Sequence, residues 1–151
     1  MSKSKITYIN NIEEWRSEFK FSIPIKIRFS ETDMFGHMNN VSPFIYFEEG
    51  RIEFLKYVGV FANLSSEQND VIPIVADLQC DYHKQMYFND EINLFIKVNE
   101  VGNSSFDIHY MVLDKDDEIA LTGRGSLVSI SPTKGKPVPL SEEMKQKLLE
   151  A

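Results

Sequence analysis

Hydrophobic and polar residues alternate along five segments of the chain. This alternation predicts five β-strands, because a strand that is buried on one face shows a period of two. The apolar positions of the first segment are Phe21, Ile23, Ile25, Ile27 and Phe29. Pro24 lies within this segment and indicates an edge strand or a strand start, since proline donates no hydrogen bond to a neighbouring strand. The other four segments cover residues 74–82, 92–98, 106–112 and 119–130.

A helical period follows the first predicted strand. The apolar residues that recur at this spacing are Val41, Phe44, Ile45, Ile52 and Leu55. Pro43 suits the first turn of the helix, where a missing N–H group costs nothing. Ser42, Asn40 or Asn39 is the candidate cap, and Gly59 is the expected end.

Short helices are expected at both ends of this region. One interpretation of residues 7–19 is a short helix capped by Asn11, and Ser141 is placed to cap another near the C-terminus. Gly102-Asn103 and residues 114–117 indicate turns between strands, and residues 61–70 indicate a loop.

The order of these elements favours an α+β fold. Short connections between consecutive strands imply antiparallel pairing, and the long helix can cover one face of the sheet. We expect one domain over residues 1–151, with a core at about residues 20–130 and a tail with a short helix at 131–151. Six elements cannot cover every strand edge and both sheet faces, so a homo-oligomer is expected.

Composition excludes several classes of function. The formal net charge of -7 opposes nucleic-acid binding, which needs a basic surface. Cys80 is the single cysteine, which excludes an internal disulfide and a multi-cysteine zinc site. No run of about 18 apolar residues and no signal-peptide pattern is present, so we expect a cytoplasmic protein that does not bind membranes.

The stretch from Thr32 to Asn40 concentrates the candidate chemistry at the strand-to-helix junction. Asp33 has two interpretations: an Asx-turn or capping acid, or a carboxylate that activates water or attacks a carbonyl. A substrate carbonyl at the helix start would meet free N–H groups near Asn40, and Gly36 has no side chain to block its approach. Taken alone, Gly36 is better explained as a turn glycine.

His37 and Glu48 are further candidates. His37 follows Asp33 by four residues and is placed to orient the acid, hold a water or bond a substrate carbonyl. Glu48 falls within the predicted apolar stripe of the helix, where a carboxylate needs partners or stays protonated. It either bonds loop amides or Arg51 as a structural residue, or lines the site.

The remaining reactive side chains carry little signal. His83 and His109 lie on predicted strands without an evident partner, and Cys80 is expected to be a small core residue. The run Gly123-Arg124-Gly125-Ser126 lacks the third glycine and the following helix of a nucleotide-binding loop. It is better explained as a strand whose glycines allow close packing.

The junction and the following helix together resemble a known family. The run Thr32-Asp33-x-x-Gly36-His37-x-Asn39-Asn40-Val41, followed by Tyr46-Phe47-Glu48-Glu49-Gly50-Arg51, is similar to the motif of the 4-hydroxybenzoyl-CoA thioesterase family of acyl-CoA hydrolases. The element order extends this resemblance over about residues 20–130. Plant acyl-ACP thioesterases share a similar Asp-x-x-x-His-x-Asn-Asn-Val run. The resemblance implies a hot-dog fold, in which an antiparallel sheet wraps around a long helix.

The resemblance also implies roles for individual residues. Asp33 matches the catalytic carboxylate, which acts as a nucleophile or as a base on water. Asn40 matches the residue whose backbone N–H polarises the thioester carbonyl. His37 matches the histidine of the acyl-ACP relatives, and Glu48 matches the acid of a sister branch, here in a supporting role.

Four more residues are expected to contact the substrate: Phe35, Gly36, Asn39 and Pro43. Two of them depart from the family pattern, since many relatives have tyrosine at position 43 and the acyl-ACP thioesterases have asparagine at position 35. Pro43 removes a hydroxyl and Phe35 makes the site more apolar, which favours an aliphatic acyl group.

Family resemblance further implies a homodimer or homotetramer with active sites at the subunit interface. It implies no metal and no cofactor, with CoA bound only as part of the substrate. Lys84, Arg124 and Lys134 are candidates for the nucleotide end of CoA by charge alone. The open alternatives are an acyl-ACP thioesterase, a hot-dog hydratase or dehydratase, a non-catalytic acyl-thioester binder, and a structural dimer in which Asp33 is only a cap.

Overall fold

A computed structural model describes residues 6–61 and 71–151, so the predicted loop at 61–70 lies outside the described residues except for Phe61. The helices are α1 (Ile12–Ser17), α2 (Ser42–Val58) and α3 (Glu142–Glu150), with a 3₁₀ turn at Phe29–Glu31. The strands are β1 (Phe21–Lys26), β2 (Ile72–Tyr82), β3 (Glu91–Val101), β4 (Ser105–Leu113) and β5 (Ile119–Ile130). No helix within the two described ranges is long and apolar enough to cross a membrane.

The five strands form one antiparallel sheet in the order β1-β3-β4-β5-β2. The predicted α+β class, the five strands and the edge position of the strand with Pro24 are confirmed. The predicted end of the first strand is wrong, because β1 stops at Lys26 and Phe29 is 76% exposed. The backbone N–H of Arg28 donates to the Glu31 carboxylate at 2.9 Å, which closes the chain into the 3₁₀ turn.

Helix α2 packs against one face of the sheet through aromatic side chains. Phe47 stacks on Tyr110 of β4 with 4.3 Å between ring centroids. A Cβ atom on Gly123 of β5 would lie 2.7 Å from the Phe47 ring. The close packing expected of this glycine is therefore confirmed, and a side chain at position 123 would push the helix off the sheet.

The buried face of α2 differs from the predicted one. Val41, Ile45 and Ile52 are 60%, 52% and 41% exposed, although Leu55 is buried as expected. The residues of α2 that are buried are Ser42, Pro43, Tyr46, Phe47, Gly50, Arg51, Phe54 and Leu55. Helix α2 has two apolar stripes, an aliphatic one with Ile45 and an aromatic one with Phe47. The aromatic stripe, which includes the small Gly50, packs against the sheet.

The N-terminal segment covers the opposite face of the sheet. Asn11 caps α1 as predicted, with its side chain accepting from the N–H groups of the two following glutamates. Trp15 is 4% exposed and packs with Met111 and Leu113 of β4. Ser141 caps α3, also as predicted, by accepting from the N–H of residue 144.

Candidate active site

Glu31 fixes the geometry of the junction between β1 and α2. Its side chain is buried and accepts hydrogen bonds from Arg28 and from the Tyr46 hydroxyl of α2. Burial alone raises the pKa of Glu31, but the hydrogen bonds from Arg28 and Tyr46 outweigh it and hold that pKa below its usual range. The Glu31 carbonyl accepts from Asn39 N at 2.7 Å and from Ser42 Oγ at 3.0 Å. One residue therefore holds the start of α2 against the end of the preceding turn.

Asp33 organises the turn that follows. Its Oδ1 accepts from the N–H of Phe35 at 2.8 Å and from the N–H of His37 at 3.2 Å. This is the Asx-turn expected from the sequence. Gly36 has a φ of 81° in this turn, a conformation that a residue with a Cβ atom rarely adopts. Within residues 6–61 and 71–151, Oδ2 of Asp33 has no hydrogen-bond partner. The carboxylate thus keeps one oxygen free while the other shapes the loop.

The predicted caps of α2 are wrong. Val41 occupies the cap position, and no side chain caps the helix from there. Asn39 acts one step earlier, because its Oδ1 accepts from the N–H of Val41 at 2.9 Å. The N–H of Ser42 bonds the Asn39 carbonyl at 3.1 Å, and Pro43 has no N–H group. The first N–H groups of the helix are therefore satisfied or missing.

Asn40 is the exception at this helix start. In the part of the chain that the structure describes, its N–H donates to no acceptor. Its carbonyl accepts a hydrogen bond from the hydroxyl of Tyr82, the last residue of β2. An exposed N–H near the positive end of a helix is a suitable donor to a negatively charged oxygen.

The imidazole of His37 lies among aromatic rings. It contacts the Tyr87 ring edge-on, with 5.4 Å between centroids, and lies 6.3 Å from the Phe35 ring. The hydrogen bond between His37 and Asp33 comes from the backbone N–H rather than from the ring. One role predicted for His37 is to orient the Asp33 carboxylate. No hydrogen bond between the His37 ring and Asp33 among the described residues supports that role.

Asp33, His37 and Asn40 line one open cleft of about 410 Å³. The other residues that line it are Met38, Tyr82, His83, Lys84, Gln85 and Met86. Residues that carry a carboxylate, an imidazole and an unpaired backbone N–H group thus line the same cleft. These groups are the ones that acyl transfer requires: a base or nucleophile and a donor to the oxyanion.

The other predicted site residues do not line this cleft. Phe35 and Gly36 are exposed on the turn, while Asn39 and Pro43 are held in the helix start. Glu48 is exposed on α2 beside Ile45 and Ile52, so the expected burial of its carboxylate is wrong. The error has the same origin as the misplaced stripe, because Glu48 was assigned to the face that the sheet does not cover.

Sequence reasoning missed the contribution of the segment from Tyr82 to Met86. The N–H of Met38 donates to the Met86 carbonyl at 2.7 Å, which joins this segment to the junction. His83 has a partner that the sequence did not reveal, since its Nε2 lies 2.8 Å from Thr122 Oγ1. His109 also has partners, since Trp15 Nε1 lies 2.9 Å from its Nδ1. Alternating patterns do not reveal that the end of β2 lies beside the start of α2.

The three proposed cations differ in their surroundings. Lys84 lines the cleft but pairs with Asp114 at 2.6 Å and Glu118 at 2.7 Å. These two acids raise the pKa of Lys84. Arg124 pairs with Asp107 on the face of the sheet opposite α2, and Lys134 is exposed beyond β5. Only Lys84 is positioned beside the cleft.

Cys80 is half-buried and packs against the main core, as expected of a small core residue. Burial raises the pKa of its thiol to about 12. No cluster of three or more His, Cys, Asp or Glu side chains that could hold a metal ion occurs within residues 6–61 and 71–151.

The antiparallel sheet packed on α2 and the cleft at its N-terminus define a hot-dog domain. The chain belongs to the Thioesterase-like superfamily, whose family model matches residues 27–148. The hot-dog fold expected from the sequence is thereby confirmed.

Known proteins show the same relationship. The uncharacterized protein YsmA of Bacillus subtilis (strain 168) is 42% identical over 137 residues, which cover 91% of this chain and 90% of YsmA. The 1,4-dihydroxy-2-naphthoyl-CoA hydrolase of Prochlorococcus marinus (strain NATL2A) is 25% identical over 125 residues, or 78% of this chain and 80% of that protein. The crystal structure of a thioesterase complexed with coenzyme A and Zn from Thermus thermophilus matches with a TM-score of 0.74 and 26% identity. That match covers 86% of this chain and 98% of the other.

Proposed function

We propose that this protein hydrolyses acyl-CoA thioesters to a carboxylic acid and CoA, as a member of the 4-hydroxybenzoyl-CoA thioesterase family within its superfamily. The observation that carries the proposal is the free carboxylate oxygen of Asp33 in the same cleft as the unpaired N–H of Asn40. Membership of the Thioesterase-like superfamily supports it. The activity named for the naphthoyl-CoA hydrolase and the coenzyme A bound to the Thermus structure also support the proposal.

The proposed reaction begins with the thioester carbonyl oxygen accepting from the N–H of Asn40. Asp33 takes a proton from water, whose oxygen attacks the carbonyl carbon, or Asp33 attacks that carbon itself and forms an anhydride that water then opens. In both routes the C–S bond breaks and the CoA thiolate leaves. His37 lines the same cleft and would hold the attacking water, with Glu48 in a supporting role from the exposed face of α2.

The proposal includes a homodimer or homotetramer with active sites at the interface. Val41, at the cap of α2, and Ile45 and Ile52 within the helix expose apolar side chains next to Asn40, and β2 leaves one edge of the sheet unpaired. A second copy that covers this face would exclude water next to the cleft and would enclose Glu48. The exposed apolar face of α2 and the open edge of β2 both support an oligomer, because each is a surface that a second copy could cover.

A thiol-release assay over a panel of acyl-CoA substrates tests the proposal. The panel should contain straight-chain acyl-CoAs from short to long together with benzoyl-CoA and 4-hydroxybenzoyl-CoA. We expect release of free CoA, faster with aliphatic than with aromatic acyl groups. Binding of acyl-CoA without thiol release would instead indicate an acyl-thioester binding protein. If thiol is released from acyl-ACP substrates tested in parallel but not from acyl-CoA, the protein is an acyl-ACP thioesterase.

A single-turnover reaction in ¹⁸O-labelled water tests for the nucleophilic route. A label in the Asp33 carboxylate, detected by mass spectrometry of its peptide, requires an anhydride that water opens at that carboxyl group. A label in the released acid alone is the result for Asp33 acting as a base on water and for an anhydride that water opens at the acyl carbon.

A further inference from the structure

The carbonyl of Asn40 is held by a residue from a distant part of the chain. The hydroxyl of Tyr82 donates to this carbonyl across a separation of 42 residues. Within the described ranges this is the single hydrogen bond to either backbone group of Asn40, since its N–H has no partner. Neighbouring residues are anchored independently: Asn39 to Glu31, and Met38 to Met86. The two peptide units that flank Asn40 also have local bonds, from the N–H of Ser42 to the Asn39 carbonyl and from the N–H of Val41 to Asn39 Oδ1. Tyr82 adds the bond that ties Asn40 itself to β2.

We propose that Tyr82 is a positioning residue, which fixes the Asn40 backbone so that its N–H points at the oxyanion of the thioester. This inference rests on the proposed hydrolysis and adds a residue from β2 to it. Tyr82 lines the cleft beside Asn40, and it is the last residue of an edge strand. The pairing of β2 with β5 fixes the position of Tyr82 along the sheet, since Tyr82 lies opposite Leu121.

The hydrogen bond is available at any pH used for an enzyme assay. Partial burial, with the nearby Cys80 thiol, raises the pKa of Tyr82 to about 12. The phenol therefore keeps its proton and continues to donate. Its carbonyl acceptor does not titrate, so the positioning effect should be constant across the working range.

Replacement of Tyr82 by phenylalanine removes the donor and keeps the ring. Loss of a whole oxyanion donor lowers kcat by about 10²–10³-fold, so a donor that is present but loosely held should cost roughly tenfold. We expect that loss in kcat with KM within about twofold of wild type, because the ground-state contacts are unchanged. Tyr57→Phe is the matched control, since the Tyr57 ring is 64% exposed near the far end of α2 and its hydroxyl has no hydrogen bond in the described structure.

Two non-hydrolysable analogues separate positioning from a general structural effect. In one, a methylene replaces the thioester sulfur and the carbonyl remains; in the other, a thioether has no carbonyl. Tyr82→Phe should leave binding of both ground-state analogues within about twofold of wild type, in line with KM. The infrared carbonyl stretch of the bound ketone should move towards its value in water.

Each outcome is decisive. Absence of thiol release by the wild-type protein overturns the proposed function and this inference together. Wild-type activity with an unchanged kcat and carbonyl stretch in Tyr82→Phe overturns only the inference. A rise in KM alone, or equal weakening of both analogues, also overturns it, because the phenol would then act on substrate binding rather than on Asn40.

Discussion

The indole N–H of Trp15 donates to Nδ1 of His109 at 2.9 Å, and this bond fastens α1 to the middle of the sheet. Since Nδ1 accepts, the proton of the neutral imidazole lies on Nε2, which is 3.1 Å from Asp107 Oδ2. Asp107 in turn accepts from Arg124 at 2.6 Å. His109 is fully buried, so every partner in this chain matters for stability.

Trp15→Phe should destabilise the protein by about 1–3 kcal/mol, because the buried Nδ1 loses its donor. Urea unfolding followed by circular dichroism measures this, since Trp15 is the single tryptophan and its fluorescence disappears with the substitution. Ser17→Ala on the exposed side of α1 is the control and should change stability by about 0.5 kcal/mol or less. Equal stability of Trp15→Phe and wild type would show that the hydrogen bond contributes nothing.

Asp107 should make stability depend on pH in the acid range. Burial raises the pKa of Asp107, but hydrogen bonds from His109 and Arg124 outweigh it and hold that pKa below its usual value. The folded state therefore binds the proton more weakly than the unfolded state, whose pKa is about 3.9. The stabilisation is complete above that unfolded pKa and is lost as the pH falls through the folded pKa.

Asp107→Asn tests this dependence. The variant should be less stable than wild type at pH 7, and the difference should shrink as the pH falls from about 5 towards about 2. Asp116→Asn, at an exposed position in the turn after β4, should follow wild type throughout. A difference that stays constant over the whole range would contradict the assignment of the pH effect to Asp107.

Gly123→Ala should destabilise the protein by about 1–3 kcal/mol through overpacking. The new Cβ atom would lie 2.7 Å from the Phe47 ring and 2.8 Å from the Gln79 carbonyl oxygen, and neither can move without disturbing α2 or β2. Thermal unfolding measures the effect. The control is Gly102→Ala in the turn before β4, where the nearest atom is the Ser105 hydroxyl at 3.3 Å. Similar melting temperatures for the two variants would refute the close contact.

Ile45→Lys should weaken self-association. Ile45 is 52% exposed on the uncovered face of α2, where a second copy is proposed to pack. A buried lysine at such an interface is costly without a partner, so sedimentation equilibrium should show a dissociation constant raised about tenfold or more. Ile12→Lys makes the same change at a 40%-exposed position of α1 and should leave assembly intact. A wild-type protein that is monomeric would overturn the proposed interface outright.

Local patterns predicted most of the fold. Alternation located all five strands, and Asn11 and Ser141 were correctly assigned as caps because each accepts from nearby backbone N–H groups. The antiparallel class followed from short connections such as the turn between Val101 and Ser105. Each of these depends on residues close together in sequence.

The errors concern contacts between distant residues. Helical spacing could not choose between the aliphatic stripe with Ile45 and the aromatic stripe with Phe47, because the choice depends on Tyr110 and Gly123 in the sheet. The partners of His109 come from α1 and from its own strand. Tyr82 was missed for the same reason, since only the assembled sheet brings it to Asn40.

Turnover of acyl-CoA by Asp33→Asn tests the central claim most directly. The asparagine Oδ1 can still accept from the N–H groups of Phe35 and His37, so the turn and the fold should be retained, as thermal unfolding can verify. The amide neither attacks a carbonyl nor takes a proton from water. We therefore predict that kcat falls by about 10²-fold or more. A folded Asp33→Asn protein with near wild-type kcat would contradict the account.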